Sequence, residues 1–273
     1  MILIADSGST KTDWTLLDTE VLSTFHSPGI NPVHQTTEQI RLTLPVTESR
    51  PEAVFFYGAG CTPEHIPAMT ALLADYFRAP LVEVSSDLLG AARAVCGREE
   101  GIAAILGTGA NSGLYNGERI VQNTPAMGYI LGDEGSGAVL GRMFLNAIFK
   151  RPDMADVRDD FLQASCLTQA DIIRRVYREP MANRFLASTS LYIGSHQEHP
   201  LLRQLVVDNF RSFFRNNVQP YQRHDLPVGV VGSMAYHYAG RLAEAARMEG
   251  YELGNVLKSP MEGLVAYHLA AQG

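Results

Sequence analysis

Cysteine is scarce in this chain, and the three present, Cys61, Cys96 and Cys166, are odd in number and show no C-x-x-C spacing. That excludes a disulfide framework and a thiolate zinc site and suits a reducing compartment. A basic excess is also missing. Lys and Arg number 22 against 29 Asp and Glu, a formal charge of −7, with no basic cluster or Arg-rich helix, which argues against nucleic acid as a partner. No apolar run approaches the about 20 residues needed to cross a bilayer. The first strand begins at Met1 with no charged leader before it. None of the eight histidines has ligand spacing. Together these absences predict a soluble, cytoplasmic protein without membrane or nucleic-acid partners. Its 273 residues can bury the core of one large domain or two modest ones.

Against that background one pattern occurs twice. Ile2–Ala5 is an apolar run that ends at Asp6-Ser7-Gly8-Ser9-Thr10-Lys11-Thr12 and resumes as alternating apolar positions from Trp14, a strand, turn and returning strand. Small turn residues expose backbone N–H and hydroxyl donors, and Lys11 adds a positive charge, so Gly8, Ser9, Thr10, Lys11 and Thr12 can cradle phosphate oxygens. Asp6, at the end of the first strand, can hold a hydrated divalent cation beside them. An ordinary β-hairpin is the alternative reading. The second copy, Ile102 to Leu106 followed by Gly107-Thr108-Gly109-Ala110-Asn111-Ser112, favours a duplicated domain that clamps a nucleotide.

The remaining pattern continues the duplication. Val21–Phe25 reads as a third strand. Val33, Thr37, Ile40 and Leu44 have helical spacing, and Ala53–Tyr57 is a continuous apolar run of a strand buried on both faces. A helix from Pro63, a strand at Leu81–Val84 and a helix capped by Ser85 or Ser86 and running to about Cys96 complete the first unit. Strands near 102–107, 111–115 and 118–122 restart the order. A helix from Gly135 to about Lys150 and a mostly helical block at 151–225 interrupt it. It resumes at Val228–Gly232, with a helix over Tyr236–Glu249, a strand near Glu252–Val256 and a helix from Pro260 onward. This is the order of the ribonuclease H-like fold, and it predicts an α/β protein of two such domains, 1–100 and 101–273, with an interdomain cleft and a helical insertion at 151–225 in the second.

Five segments in this order carry a further resemblance: Asp6-Ser7-Gly8-Ser9-Thr10-Lys11-Thr12, Ser86-Asp87, Leu106-Gly107-Thr108-Gly109-Ala110-Asn111, Gly132-Asp133-Glu134-Gly135-Ser136-Gly137 and Val231-Gly232-Ser233. They cover most of the chain and resemble the N-acetylglucosamine kinase and BadF/BadG-type ATPase group of the actin/hexokinase superfamily of sugar kinases. The resemblance implies transfer of the γ-phosphate of ATP, with Mg²⁺, to a hydroxyl of an amino sugar, most simply O6 of N-acetylglucosamine. It makes Asp87 the general base. A carboxylate in the first turn of a helix also complements the helix dipole, a structural alternative for the same residue. The resemblance assigns Ser9, Thr10, Lys11 and Thr12 to a first phosphate loop, Gly107, Thr108 and Gly109 to a second, and Asp6 to Mg²⁺ through water. Gly232 and Ser233 become the adenosine-contacting turn, although a glycine after a buried strand often serves only the turn.

Sugar binding is expected from Asn31, Asp133 and the backbone around Gly128. For Asn31 an Asx turn is the alternative, and for Asp133 and Glu134 a helix cap. The chain departs from the pattern at Ala126-Met127-Gly128-Tyr129, where relatives that act on N-acetylglucosamine often carry Gly-Trp-Gly, so the resemblance implies that Met127 replaces an indole in the wall against the sugar or its N-acetyl group. Two other readings compete: an ATP-driven activator of the BadF/BadG type, which needs cysteine thiolates for an iron–sulfur cluster, and a nucleotide-binding regulator without transferase activity. A small-molecule sugar is the expected partner, and a homodimer is compatible with the pattern.

Overall fold

The computed structural model describes residues 1–8, 10–47 and 49–271. The chain divides into two compact units: Met1–Glu100 with Tyr115–Val121 and the segment from Ser259, and Gly101–Leu114 with Gln122–Lys258. In the first sheet the strands β1 (Ile2–Ser7), β2 (Lys11–Leu17), β3 (Val21–Pro28), β4 (Ala53–Gly58) and β5 (Leu81–Ser86) lie in the order β3-β2-β1-β4-β5. β1 pairs antiparallel with β2, which pairs antiparallel with β3, whereas β1–β4 and β4–β5 are parallel. The second sheet repeats the order: β6 (Glu100–Leu106), β7 (Ala110–Asn116), β8 (Ile120–Thr124), β9 (Val228–Val231) and β10 (Leu253–Leu257) run β8-β7-β6-β9-β10. Here β6–β9 and β9–β10 are parallel.

Burial explains the strand positions. Leu3, Ile4 and Ala5 of β1 and Ile102, Ala103 and Ala104 of β6 are wholly buried, so each sheet is built outward from an apolar central strand. Parallel neighbours follow because β4, β5, β9 and β10 return through helices rather than tight turns. The insertion forms helices at Ala155–Ser165, Gln169–Tyr177, Ala182–Ser188, Ser190–Ser195 and Pro200–Phe213, and Phe210, Phe213 and Phe214 join Ile102, Leu106 and Phe144 in one core.

Three elements differ from the sequence pattern. Of the helix anticipated over Val33–Leu44 only Thr37–Arg41 forms: an Asx turn at Asn31 takes the preceding residues, Thr36 and Gln39 make the capping box, and Leu42 is exposed. The helix anticipated over Tyr236–Glu249 is two, Ser233–His237 and Ala239–Met248. Tyr238 breaks it at φ −114°, and its hydroxyl donates to the Ser190 carbonyl of the insertion. The last helix, Met261–Leu269, groups with the first unit rather than with 101–258. Its Leu264 is buried among Ile2, Ile4 and Leu17, a long-range apolar contact that outweighs chain order.

That helix also buries His268, whose Nε2 lies 2.9 Å from the Tyr57 hydroxyl. Desolvation, helped by Arg93 and Arg98, pushes the imidazole down to about 4 from 6.5, so it is neutral in the fold. The unfolded chain then takes up the proton first on acidification. This contribution to stability is complete above 6.5 and is lost as pH falls toward 4, with a slope reaching about 1.4 kcal/mol per pH unit. Urea melts of the protein and of His268→Gln at pH 7, 6 and 5 are expected to converge as the pH drops. Parallel curves would show that His268 is not held neutral.

Candidate active site

The first turn is held by the β1–β2 register, which sets Asp6 opposite Asp13 and Ser7 opposite Thr12. Gly8 N–H donates to the Lys11 carbonyl at 3.0 Å and closes the turn, leaving Gly8 and Thr10 exposed. Ser9, assigned to the same phosphate loop, lies outside the described residues. Thr12 was expected there as a donor, but it is wholly buried: its hydroxyl lies 2.7 Å from Ser7 Oγ and 3.1 Å from the Pro28 carbonyl. Ser7 Oγ in turn accepts Ile30 N–H at 3.0 Å. Thr12 is therefore a strut that fastens the loop before Asn31 to the hairpin, because its position faces the core side of β2. Lys11 Nζ is exposed and reaches Asp13 Oδ1 at 2.8 Å.

Asp6 and Asp87 come together electrostatically within this unit. Burial, reinforced by the Asp87 and Asp13 carboxylates and opposed by Lys11, pushes Asp6 up to about 7. Asp87 is the first residue of the helix Asp87–Cys96. Ser86 Oγ caps that helix by accepting Leu89 N–H at 3.2 Å, and Asp87 Oδ1 accepts Leu88 N–H at 2.8 Å. Burial raises Asp87 as well, against the lowering effect of the Leu88 and Asp87 backbone N–H groups. The cap and the dipole reading of Asp87 thus separate: Ser86 caps. Gly90, one turn on, lets the helix lie against Tyr57, since a Cβ there would stand 2.8 Å from the Tyr57 Cβ and ring. Asn31 makes the Asx turn, its Oδ1 accepting Val33 N–H at 3.0 Å and its N–H donating to Gln35 Oε1 at 2.7 Å. Gly60, at φ +80°, presses on the same amide: an added Cβ would lie 2.1 Å from Asn31 Oδ1. The amide is fixed, with Nδ2 as its remaining donor.

The second turn belongs to the other unit. Gly107 N–H donates to the Gly109 carbonyl at 3.0 Å, while the Gly107 and Thr108 carbonyls accept from Gly137 N–H at 2.8 Å and Ala138 N–H at 3.2 Å. The turn is thereby seated on the first residues of the helix Gly137–Lys150, with Thr108 exposed. Asp133 is buried beside it, in the left-handed region at φ +54°, and a Cβ on Gly109 would be 3.0 Å from its Oδ2. Desolvation raises the Asp133 carboxyl, and Glu134 adds to the rise. Ser136, accepting Val139 N–H at 3.2 Å, is the cap of this helix, which frees Asp133 from that duty. Glu134 accepts from Asn216 Nδ2 at 2.9 Å and Asn217 Nδ2 at 3.2 Å. Gly128 is exposed at φ +71°, next to an exposed Met127.

Residues that sequence reasoning missed hold this motif. Asn209, wholly buried, accepts Gly135 N–H at 3.0 Å and donates to the Ser136 carbonyl at 3.1 Å. Its only signal is a polar side chain among the apolar residues of an amphipathic helix. Asn209→Ala orphans both backbone groups and is expected to cost about 2 kcal/mol in a urea melt. A loss below about 0.5 kcal/mol would mean that water replaces the amide. At the last motif, Gly232 N–H donates to the Leu257 carbonyl at 2.9 Å, and Ser233 lines a cavity of about 320 Å³ with Ser190, Gly194, Gln197, His237 and Tyr238. Among the described residues no group of three or more His, Cys, Asp or Glu side chains could hold a metal ion, and no helix is long and apolar enough to cross a membrane.

Two mixed five-stranded sheets of one strand order, each with a glycine-rich turn after its central strand, define the two-domain ribonuclease H-like fold of actin-like ATPases and sugar kinases. No protein-family model matches the chain, and no curated protein matches it by sequence. Among solved structures it is similar to a candidate N-acetylglucosamine kinase from Porphyromonas gingivalis, with 44% identity over 100% of both chains and a TM-score of 0.91. A candidate N-acetylglucosamine kinase from Chromobacterium violaceum is similar at 16% identity, over 97% of this chain and 98% of that one, with a TM-score of 0.66. A ROK family glucokinase from Streptomyces griseus, in complex with glucose and AMPPNP, is similar at 18%, over 100% and 99%, with a TM-score of 0.62. The last two show the fold; the first shows the family. This chain belongs to the N-acetylglucosamine kinase family, and it is a sugar kinase, a phosphotransferase with an alcohol acceptor. The activator reading is not favoured. Burial pushes the Cys61 and Cys96 thiols up to about 12 and about 11, away from the thiolate that a cluster ligand requires.

Proposed function

We propose that the enzyme transfers the γ-phosphate of ATP to O6 of N-acetylglucosamine in the cytoplasm, with Asp87 taking the proton from the attacking hydroxyl. The observation that supports this most is the pairing of Asp87 with Asp6: two carboxylates at the ends of β5 and β1, both raised by burial, in a unit whose exposed turn presents Gly8, Thr10 and Lys11. A base whose pKa stands above the ordinary carboxylate range accepts a hydroxyl proton more readily. Asp6 also fits Mg²⁺. Among the described residues its carboxylate makes no hydrogen bond, and the nearby Asp13 and Asp87 disfavour its charge, with Lys11 the only cation that offsets them. Magnesium keeps several waters and needs few protein ligands, so one carboxylate beside phosphates is a sufficient hold. When bound, the ion neutralises charge on the phosphates.

In this reading Gly8, Ser9, Thr10 and Lys11, together with Gly107, Thr108 and Gly109, hold the phosphates through N–H, hydroxyl and ammonium donors. Ser233 and the cavity beside it take the adenosine, with Gly232 shaping the turn. Asn31 Nδ2, Asp133 and the Gly128 backbone meet the sugar hydroxyls, and Met127 stands at the N-acetyl wall. ADP release measured with N-acetylglucosamine, glucosamine, N-acetylmannosamine, N-acetylmuramic acid and glucose tests the assignment. The highest kcat/KM is expected for N-acetylglucosamine. A higher value for glucose, or ADP release that no sugar stimulates, would refute it.

A further inference from the structure

We infer that Gln197, on the helical insertion, reads the nucleotide base and makes the enzyme select adenine over guanine. The inference rests on the nucleotide-binding reading of Ser233. The cavity next to Ser233 has about 320 Å³, within the range of about 300–1,000 Å³ typical of small-molecule sites. One wall comes from the turn after β9 and the other from the insertion, and the two are fastened together where Tyr238 donates to the Ser190 carbonyl at 2.5 Å.

Of the five polar side chains that line the cavity, Ser190 and Tyr238 spend their hydroxyls within the protein, while Ser233, His237 and Gln197 keep hydrogen-bonding capacity. The Ser190 hydroxyl donates to the Ala187 carbonyl at 2.7 Å, and the Tyr238 hydroxyl is engaged as described. Gln197 differs. Its Nε2 donates one hydrogen to the Gly194 carbonyl at 3.2 Å, which leaves Oε1 as an acceptor and the second Nε2 hydrogen as a donor. An amide in that arrangement matches the N6 amino group and ring nitrogen of adenine as a two-bond pair. Guanine places its O6 acceptor where adenine has a donor, so its lone pair meets Oε1 and both acceptors lose a partner.

The test compares kcat/KM for MgATP and MgGTP, with saturating N-acetylglucosamine, in the wild type and in Gln197→Leu and Gln197→Glu, and the affinities of ADP and GDP by calorimetry. The wild type is expected to prefer ATP by about tenfold or more, and Gln197→Leu to reduce that preference at least about fivefold. Gln197→Glu keeps the acceptor and loses the donor, so it is expected to raise KM for ATP yet still discriminate against GTP. A structural role would lower both nucleotides alike and leave their ratio in place. If Gln197→Leu melts like the wild type and its ratio is unchanged, the inference fails while the kinase reading stands. If ADP and GDP affinities shift apart as described but no sugar is phosphorylated, the inference stands and the kinase reading falls. Wild-type protein that binds no ADP would overturn both.

Discussion

Asp87→Asn is expected to lower sugar-dependent ADP release by about 10²–10⁴-fold, the usual weight of a positioned general base, while the affinity for ADP stays near that of the wild type. Asparagine keeps an oxygen for Leu88 N–H, the bond Asp87 Oδ1 accepts at 2.8 Å, so the first turn of the helix retains its geometry. What disappears is the ability to take a proton. The substitution also removes a charge that burial disfavours and that pushes Asp6 up, so at neutral pH the variant is expected to melt no lower than the wild type. The wild-type pH profile carries the same signature. Because the Asp87 pKa is raised, its base form is lost on acidification at a pH above the ordinary carboxylate range, and kcat/KM is expected to fall there. Loss of ADP binding in step with loss of turnover would instead make Asp87 a structural residue.

Much of the fold around the candidate site was legible in the sequence because its signals are local. The apolar runs of β1, β4, β6 and β9 end at glycines or small polar residues within one or two positions, and a strand's burial is read directly from such a run. The repeated turn after β1 and β6 disclosed the duplication, and the identical order of the two sheets follows from it. Less legible were contacts between residues far apart in the chain. Thr12 looks like a phosphate donor until Ser7 and Pro28 are seen to engage it. The glycine-rich turn at Asp133–Ser136 carries no mark of Asn209 or of Asn216 and Asn217, 73 to 83 residues on, yet they fix its backbone and Glu134. The break at Tyr238 is likewise invisible to helical periodicity, since its cause is a carbonyl of another helix. Nor does spacing foretell that Asp6 is raised to about 7, because burial and three neighbouring charges decide it.

Gly232→Ala is expected to be among the most damaging single-methyl additions in the chain, costing about 4 kcal/mol in a urea melt, from about 1–3 kcal/mol of backbone strain and a similar overpacking term. Gly232 has φ +127°, which a Cβ-bearing residue rarely adopts, and the added carbon would sit 2.2 Å from the Leu106 carbonyl oxygen. Neither side can yield cheaply. Leu106 ends β6, which pairs with β9 through Ile105 and Val231, and Gly232 N–H is bound to the Leu257 carbonyl, so relief must move central strands of the second sheet. Because Leu106 leads directly into Gly107 and Gly109, and Gly232 into Ser233, the same displacement reaches both the second phosphate turn and the wall of the base cavity. ADP affinity is therefore expected to fall together with stability. Gly240→Ala is the control: that glycine lies in the helix Ala239–Met248 with no atom within 4 Å of its Cβ position, so alanine is expected to raise stability by about 0.5–1 kcal/mol and leave ADP affinity unchanged. If the two variants lose stability equally, the close approach of Gly232 to β6 does not constrain the site. If Gly232→Ala unfolds at lower urea and the folded remainder still binds ADP normally, the turn supports the sheet without shaping the nucleotide pocket.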